Sequence, residues 1–398
     1  MPKDPSLETT VAGIPLETCV YNASGPRTGS SAALTKIAAS SAGAVLTKSA
    51  TLVSQTGNPQ PRIFHAPDDK ASFNSEGLPN SGIEYYISDS TIEETLAGCK
   101  GPTKPYMVSI SGKTLEDNLK MMDKISMVKD KIACVELNLA CPNVIGKPII
   151  AFDFDQLRTI LKTIEQKKYK FLLGLKLPPY LDSKHLAEAA SIINGYSGMV
   201  KYVACINTIG NALAIDEISE APFISSNNGL AGLSGPAVKY TALANVRQMR
   251  QKLDPSIDVV GVGGIESGTD VFSFLLCGAT AVQVGTCHWK EGPKCFDRIC
   301  DELKAVLKEK GYSSVQEVIG NLKPWSKEGA AKSRAARKKT KTSSSVSTKN
   351  ASTKQDPRLF FARFMNNILL VIIAVLLADK FGYMDLQNYD WYMDVPKN

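Results

Sequence analysis

The fold turns on Glu136-Leu137-Asn138-Leu139-Ala140-Cys141-Pro142-Asn143. These residues close an apolar run, Ile132 to Leu139, with the composition of a buried strand. Two asparagines flank Cys141, and Pro142 prevents further ladder pairing. A strand ending this way delivers a thiol between amides that both donate and accept hydrogen bonds. Such a set suits holding a planar, amide-rich ring while a base takes a proton from it.

Outward from that strand, residues 16 to 315 alternate short apolar runs with longer mixed segments, the pattern of repeated βα units. The expected strands are Val20–Ala23, Ala44–Lys48, Tyr106–Ile110, Cys134–Leu139, Leu172–Leu177, Tyr202–Asn207, Val259–Gly263 and Ala281–Gly285. Helix-like stretches lie between them at Thr114–Val128, Phe154–Gln166, Ser183–Asn194, Ala237–Lys252 and Gly268–Cys277. Eight strands in alternation predict an α/β chain folded as a closed (β/α)8 TIM barrel. Lys48, Asn138, Lys176, Asn207, Gly263-Gly264 and Gly285-Thr286 all fall at or just past carboxyl ends of these strands. In a barrel those ends share one face, where active sites are built.

Two long connections interrupt the alternation. Ala50–Lys104 exceeds an ordinary βα loop and contains Asn74-Ser-Glu-Gly-Leu-Pro-Asn80, suited to backbone folded close over a ligand. Asn194–Gly235, with Gly229, Gly232 and Gly235, is expected to cross the same face. Val260-Gly-Val-Gly-Gly-Ile-Glu266 follows a strand and opens a helix, so its N–H groups can converge on an oxyanion. Val282-Gln-Val-Gly-Thr286 repeats the design one strand later. No Gly-x-Gly-x-x-Gly stands at a first βα turn, so a mononucleotide fits better than a dinucleotide.

The totals narrow the function class. The 398 residues, 43% hydrophobic, are enough for one large barrel plus an appendage. The net charge of +7 resides in one segment: Lys323–Arg358 holds 11 Lys/Arg against Glu328 and Asp356, which leaves the remainder at −2. The body therefore gives no reason to expect nucleic acid. Nine cysteines include no Cys-x-x-Cys pair, so zinc and iron–sulfur frameworks are not expected, nor any metal site. The start, Met1-Pro-Lys-Asp-Pro, lacks the apolar core of a signal peptide, and a reducing, cytosol-facing setting is expected.

Taken together, the motifs resemble family 1A dihydroorotate dehydrogenase, the fumarate-type FMN enzyme of pyrimidine synthesis. The resemblance runs from about Leu7 to Leu322 and includes Asn22-Ala-Ser-Gly25, Thr47-Lys-Ser49, the Asn74–Asn80 loop and the Glu136–Asn143 stretch. It continues through Val144-x-Gly-Lys-Pro148, Lys176-Leu-Pro-Pro179, Asn207-x-Ile-Gly-Asn211, Thr241-Ala-Leu-Ala-Asn-Val-Arg247 and Cys277-Gly-Ala-Thr280. It implies oxidation of dihydroorotate to orotate with fumarate reduced to succinate, and a homodimer. It implies that Cys141 is the general base and Lys48 the catalytic cation. Substrate contacts are implied for Lys48, Asn74, Gly77, Leu78, Asn138, Asn143, Asn207 and Thr208. FMN contacts are implied for Ala23, Gly25, Lys48, Ser49, Asn138, Lys176, Gly235, Gly263, Gly264, Gly285 and Thr286. Three positions depart from the family: Glu76 replaces Met, Ala140 replaces Ser, and Thr208 replaces Ser. Because that loop binds through backbone N–H groups, the Glu76 side chain is expected to point outward.

Beyond residue 322 the resemblance stops. Residues 323–358 have the composition of a basic, disordered linker. Leu359–Ala378 is predicted as a transmembrane helix, with a docking or interfacial helix as the alternative, and residues 379–398 form a short acidic tail. The basic upstream flank puts the catalytic body on the cytosolic side, tethered to a membrane. Two alternatives to the fumarate enzyme are the same oxidation with a membrane quinone as acceptor, and a flavin-binding scaffold of impaired turnover. The first follows from the anchor, the second from Glu76 and Ala140.

Overall fold

The computed structural model describes residues 4–140 and 149–335. Eight parallel strands form the body: β1 (Val20–Asn22), β2 (Val45–Leu46), β3 (Tyr106–Ile110), β4 (Cys134–Asn138), β5 (Leu173–Leu177), β6 (Val200–Cys205), β7 (Asp258–Val262) and β8 (Ala281–Val284). Their hydrogen-bonded order is β1-β8-β7-β6-β5-β4-β3-β2, so sequence neighbours are spatial neighbours, as a TIM barrel requires. Each expected strand is present, usually shorter at one end. Both faces of such strands are covered, which explains their near-continuous apolar runs.

The seam between β1 and β2 closes by a different device. Asn22, fully buried, accepts from Leu46 N–H at 3.0 Å and donates to the Leu46 carbonyl at 2.6 Å. Its carboxamide thus takes the place of a backbone pair. Gly43 N–H adds a bond to the Val20 carbonyl at 2.8 Å.

Eight principal helices sheathe the strands: α1 (Ser31–Ala38), α2 (Asp89–Leu96), α3 (Leu115–Met127), α4 (Phe154–Lys167), α5 (Ser183–Asn194), α6 (Lys239–Lys252), α7 (Gly268–Leu276) and α8 (Lys294–Lys310). Six start at a Ser, Thr or Asp whose side chain accepts from the first turn: Ser30, Ser88, Thr114, Asp153, Asp182 and Ser267. Each such cap contributes about 1 kcal/mol. Asn245 of α6 exchanges two bonds with the Tyr180 backbone, 2.9 and 3.0 Å, and so fixes the loop after β5.

The two long connections meet over the carboxyl ends of the barrel. Ile63–His65 and Ser72–Asn74 from the first pair with Leu230–Ser234 and Ile209–Leu213 from the second in one four-stranded sheet. Asn74 sits opposite Gly232, which places the Asn74–Asn80 loop at the rim of the mouth.

The described residues up to 322 form one compact unit, and residues 323–335 belong to a second. Of the second, residues 327–335 are helical, with Glu328 and Lys332 paired at 2.7 Å one turn apart. The predicted segment Leu359–Ala378 and the acidic tail lie outside the described residues. Among the described residues no helix is long and apolar enough to cross a membrane.

Candidate active site

At the carboxyl ends of the strands the barrel opens into a cavity of about 1070 Å³, its open mouth included. Lys48 just past β2, Asn138 ending β4, Lys176 in β5 and Asn207 past β6 all line it. So do Gly263 and Gly264 past β7 and Gly285 with Thr286 past β8. Parallel strands put these groups on one face, so residues far apart in sequence share one chamber.

One wall is a chain of amides and hydroxyls. Asn207 donates to Asn138 Oδ1 at 3.2 Å, and Asn138 donates to Ser49 Oγ at 3.3 Å. Ser49 lies 3.2 Å from Ser24 Oγ and 2.9 Å from Ser109 Oγ. Asn138 Oδ1 also accepts from Ala140 N–H at 3.1 Å, and Asn207 Oδ1 from Thr208 N–H at 2.8 Å. Asn74 reaches from the rim and donates to the Gly232 carbonyl at 3.3 Å. Each amide is thereby held in one orientation, which is what recognition of a ring's amide edges requires.

Deeper down lies a charged network. Lys176 is 5% exposed and donates to Gln283 Oε1 at 3.4 Å. Gln283 donates to Glu136 Oε2 at 2.5 Å, and the Tyr202 hydroxyl donates to the same oxygen at 3.1 Å. Burial pulls the Lys176 ammonium below its ordinary pKa, the Glu136 carboxylate opposes the fall, and the Lys48 charge adds to it. Burial and the Glu136 charge together push the Tyr21 and Tyr202 hydroxyls well up, so both remain neutral, Tyr202 donating to Glu136 and Tyr21 accepting from Gln283.

The opposite end has the form of an oxyanion cradle. Gly235, Gly263 and Gly264 have φ of +77°, +126° and +69°, open to glycine and strained for other residues. The N–H groups of Gly264, Gly285 and Thr286 donate to no backbone carbonyl among the described residues. A Cβ on Gly264 would meet Lys239 Cβ at 2.7 Å. Converging N–H groups on bare backbone fit a phosphate. Because the cradle, the buried cation and the amide wall line one cavity, the residues present fit a flavin mononucleotide.

One expectation is corrected. The Glu76 side chain points inward: it is 9% exposed, lines the cavity and places Oε2 3.0 Å from Lys48 Nζ. The physical reason is charge: a carboxylate on this short loop faces two cations, Lys48 and Arg62.

Of the sequence-predicted site residues, Ala23, Gly25, Lys48, Ser49, Asn74, Leu78, Asn138, Lys176, Asn207, Thr208, Gly235, Gly263, Gly264, Gly285 and Thr286 line this cavity. Gly77 does not. Its φ of +68° shapes the loop, where a Cβ would lie 2.3 Å from Asn58 Oδ1. Cys141 and Asn143 lie outside the described residues. Glu136, Gln283 and Trp289 carried no role in the sequence reading, although Gln283 and Trp289 line the chamber. A polar residue interrupting an apolar strand was the available signal for Glu136 and Gln283.

A family model described as dihydroorotate dehydrogenase matches residues 6–307. "Dihydroorotate dehydrogenase (fumarate)" of Lachancea kluyveri is 44% identical over 301 residues, 76% of this chain and 93% of that protein. "Putative dihydroorotate dehydrogenase A (fumarate)" of Streptococcus agalactiae is 41% identical over 317 residues, 80% of this chain and 98% of that protein. Among solved structures, ligand-free DHODH from Eimeria tenella superposes with a TM-score of 0.66 at 24% identity, covering 81% of this chain and 93% of that one. Its ferulenol complex gives 0.66 at 22%, covering 80% and 89%. At those identities the likeness to the solved structures is one of fold.

Proposed function

The chain belongs to the dihydroorotate dehydrogenase family, and from that premise we propose that it oxidises (S)-dihydroorotate to orotate in pyrimidine biosynthesis, using FMN. The observation that carries this reading is the convergence of Lys48, Lys176, Asn74, Asn138 and Asn207 on one chamber that ends in two glycine loops. FMN, when bound, supplies the acceptor for the hydride that leaves C6 of the substrate.

The protein's own groups do the rest. Cys141 takes the proton from C5; a free thiol titrates near ~8.5, so the loop must favour its thiolate. Asn74, Asn138, Asn143 and Asn207 hold the pyrimidine amides, while Thr208 and Leu78 close the substrate side, Leu78 on a loop that Gly77 shapes. Lys48 offers its ammonium to the substrate carboxylate. Lys176 stabilises negative charge that develops beside it, the more so for being buried. Ala23, Gly25, Ser49, Gly235, Gly263, Gly264, Gly285 and Thr286 hold the cofactor, the last four through backbone N–H groups.

Fumarate is the proposed acceptor, supported by the likeness to relatives named as fumarate-type enzymes. A quinone is the second reading, supported by the apolar stretch 359–378, which we propose as the membrane tether of a cytosol-facing enzyme. Exposed Leu213, Ile215 and Ile218 support self-association as a homodimer. The test is to incubate full-length protein with dihydroorotate and fumarate, then dihydroorotate and a quinone, and follow orotate. Orotate forms faster with fumarate if the reading holds; flavin-loaded protein that makes no orotate with either acceptor defeats it. Cys141→Ser should lower turnover by about 10²-fold or more and leave flavin content unchanged.

A further inference from the structure

Glu76 occupies the cation that a carboxylate ligand would need. Its Oε2 is 3.0 Å from Lys48 Nζ, and its Oε1 is 3.9 Å from Arg62 Nε. That Nε is buried and has no hydrogen-bond partner among the described residues; Arg62 Nη1 is engaged by the Thr56 and Asn58 carbonyls at 2.8 and 3.0 Å. A second, under-used cation therefore faces Glu76 from the other side. The backbone here has little freedom, since Asn58 N–H donates to the Glu76 carbonyl at 2.8 Å and Gly77 packs against Asn58. Rearrangement is left to the side chain, whose carboxylate needs to close less than 1 Å onto Arg62 to reach hydrogen-bonding range, ~3 Å.

We propose that Glu76 is a specificity-determining latch: it pairs with Lys48 until a carboxylate ligand displaces it, and then turns onto Arg62. Each anionic ligand thus binds by exchanging one carboxylate for another. The proposal rests on the reading of this chamber as the orotate site, and adds selection by charge. With Glu76 in place, Lys48 is already neutralised, so every ligand charge is opposed by the displaced carboxylate. The opposition scales with the product of the charges. If Glu76 weakens a monoanion about tenfold, a dicarboxylate is weakened between about 10-fold and 100-fold, the second charge lying farther away. Glu76 therefore favours the monoanionic pyrimidine over a dianionic acceptor in competition for the same chamber.

The test is calorimetric titration of orotate, succinate and uracil into full-length, flavin-loaded wild type, Glu76→Gln, Arg62→Gln and the double variant. The expected result is orotate bound about tenfold tighter by Glu76→Gln, succinate tighter by a larger factor, and uracil unchanged. Arg62→Gln should weaken orotate several-fold while Glu76 is present. It should have no effect in the double variant, where a neutral amide replaces the carboxylate. Glu76→Met, measured in parallel, must keep the same ordering, so that one misfolded variant does not decide the outcome. Equal orotate affinity in wild type and Glu76→Gln overturns the latch alone, as does an equal gain for uracil or an Arg62 effect that is the same in both backgrounds. Orotate bound by none of the proteins overturns the reading of the chamber, and the latch with it.

Discussion

Single residues decide the shape of the cradle and the charge of the chamber. Gly264 has φ +69° and no room for a Cβ against Lys239. Gly264→Ala should therefore destabilise the protein by about 1–3 kcal/mol and lower retained flavin, which absorbance per mole of protein measures. At the buried cation, Lys176→Gln should reduce kcat by roughly 10²–10³-fold with little change in KM, because its charge acts on the transition state. Steady-state kinetics separates the two parameters. Lys48 and Lys176 stood out in the sequence because a charged residue at the end of an apolar strand is costly unless used. The direction of Glu76 did not, since nothing within its own loop specifies it; the deciding partners are Lys48 and Arg62.

Elements are held in register mainly by backbone ladders, with the seam between β1 and β2 as the exception. There the junction leans on one carboxamide beside a single backbone bond, so Asn22→Ala should cost about 2–4 kcal/mol, a large loss for a single polar side chain. Denaturant midpoints check it, and Asn22→Asp, which buries a carboxylate against the Leu46 carbonyl, should cost at least as much at neutral pH. The motif containing Asn22 was legible; its closing role was not, because that role exists only once β1 and β2 are adjacent. The helices α3 to α7 were expected from the sequence, while α1, α2 and α8 were not named; the N-cap residues that six of the eight principal helices carry were an available signal for α1 and α2.

At the scale of the whole molecule, a buried imidazole ties stability to pH. His288 is 2% exposed, and burial with the nearby Arg27 charge lowers its pKa to about 4, against an ordinary value near 6.5. Between those values the unfolded chain binds a proton that the native chain refuses, so stability falls as pH falls, by about 3 kcal/mol in total. Above pH ~6.5 the residue contributes no pH dependence. Comparing wild type with His288→Phe at pH 7 and pH 4.5 isolates it, because the carboxylates titrate alike in both. Residues 1–322, a compact unit by themselves, should fold and retain flavin when expressed without the remainder, as melting and absorbance will show.

The sequence by itself determined the barrel and most of its mouth: parallel strands are buried on both faces, so apolar runs and the polar residues ending them stand out in one dimension. Only the tertiary structure decided the pairings among groups far apart along the chain. The Glu136–Gln283–Tyr202–Lys176 network and the inward turn of Glu76 arise from side chains on different strands and loops meeting in a low-dielectric interior. There a charge takes whichever partner the fold supplies.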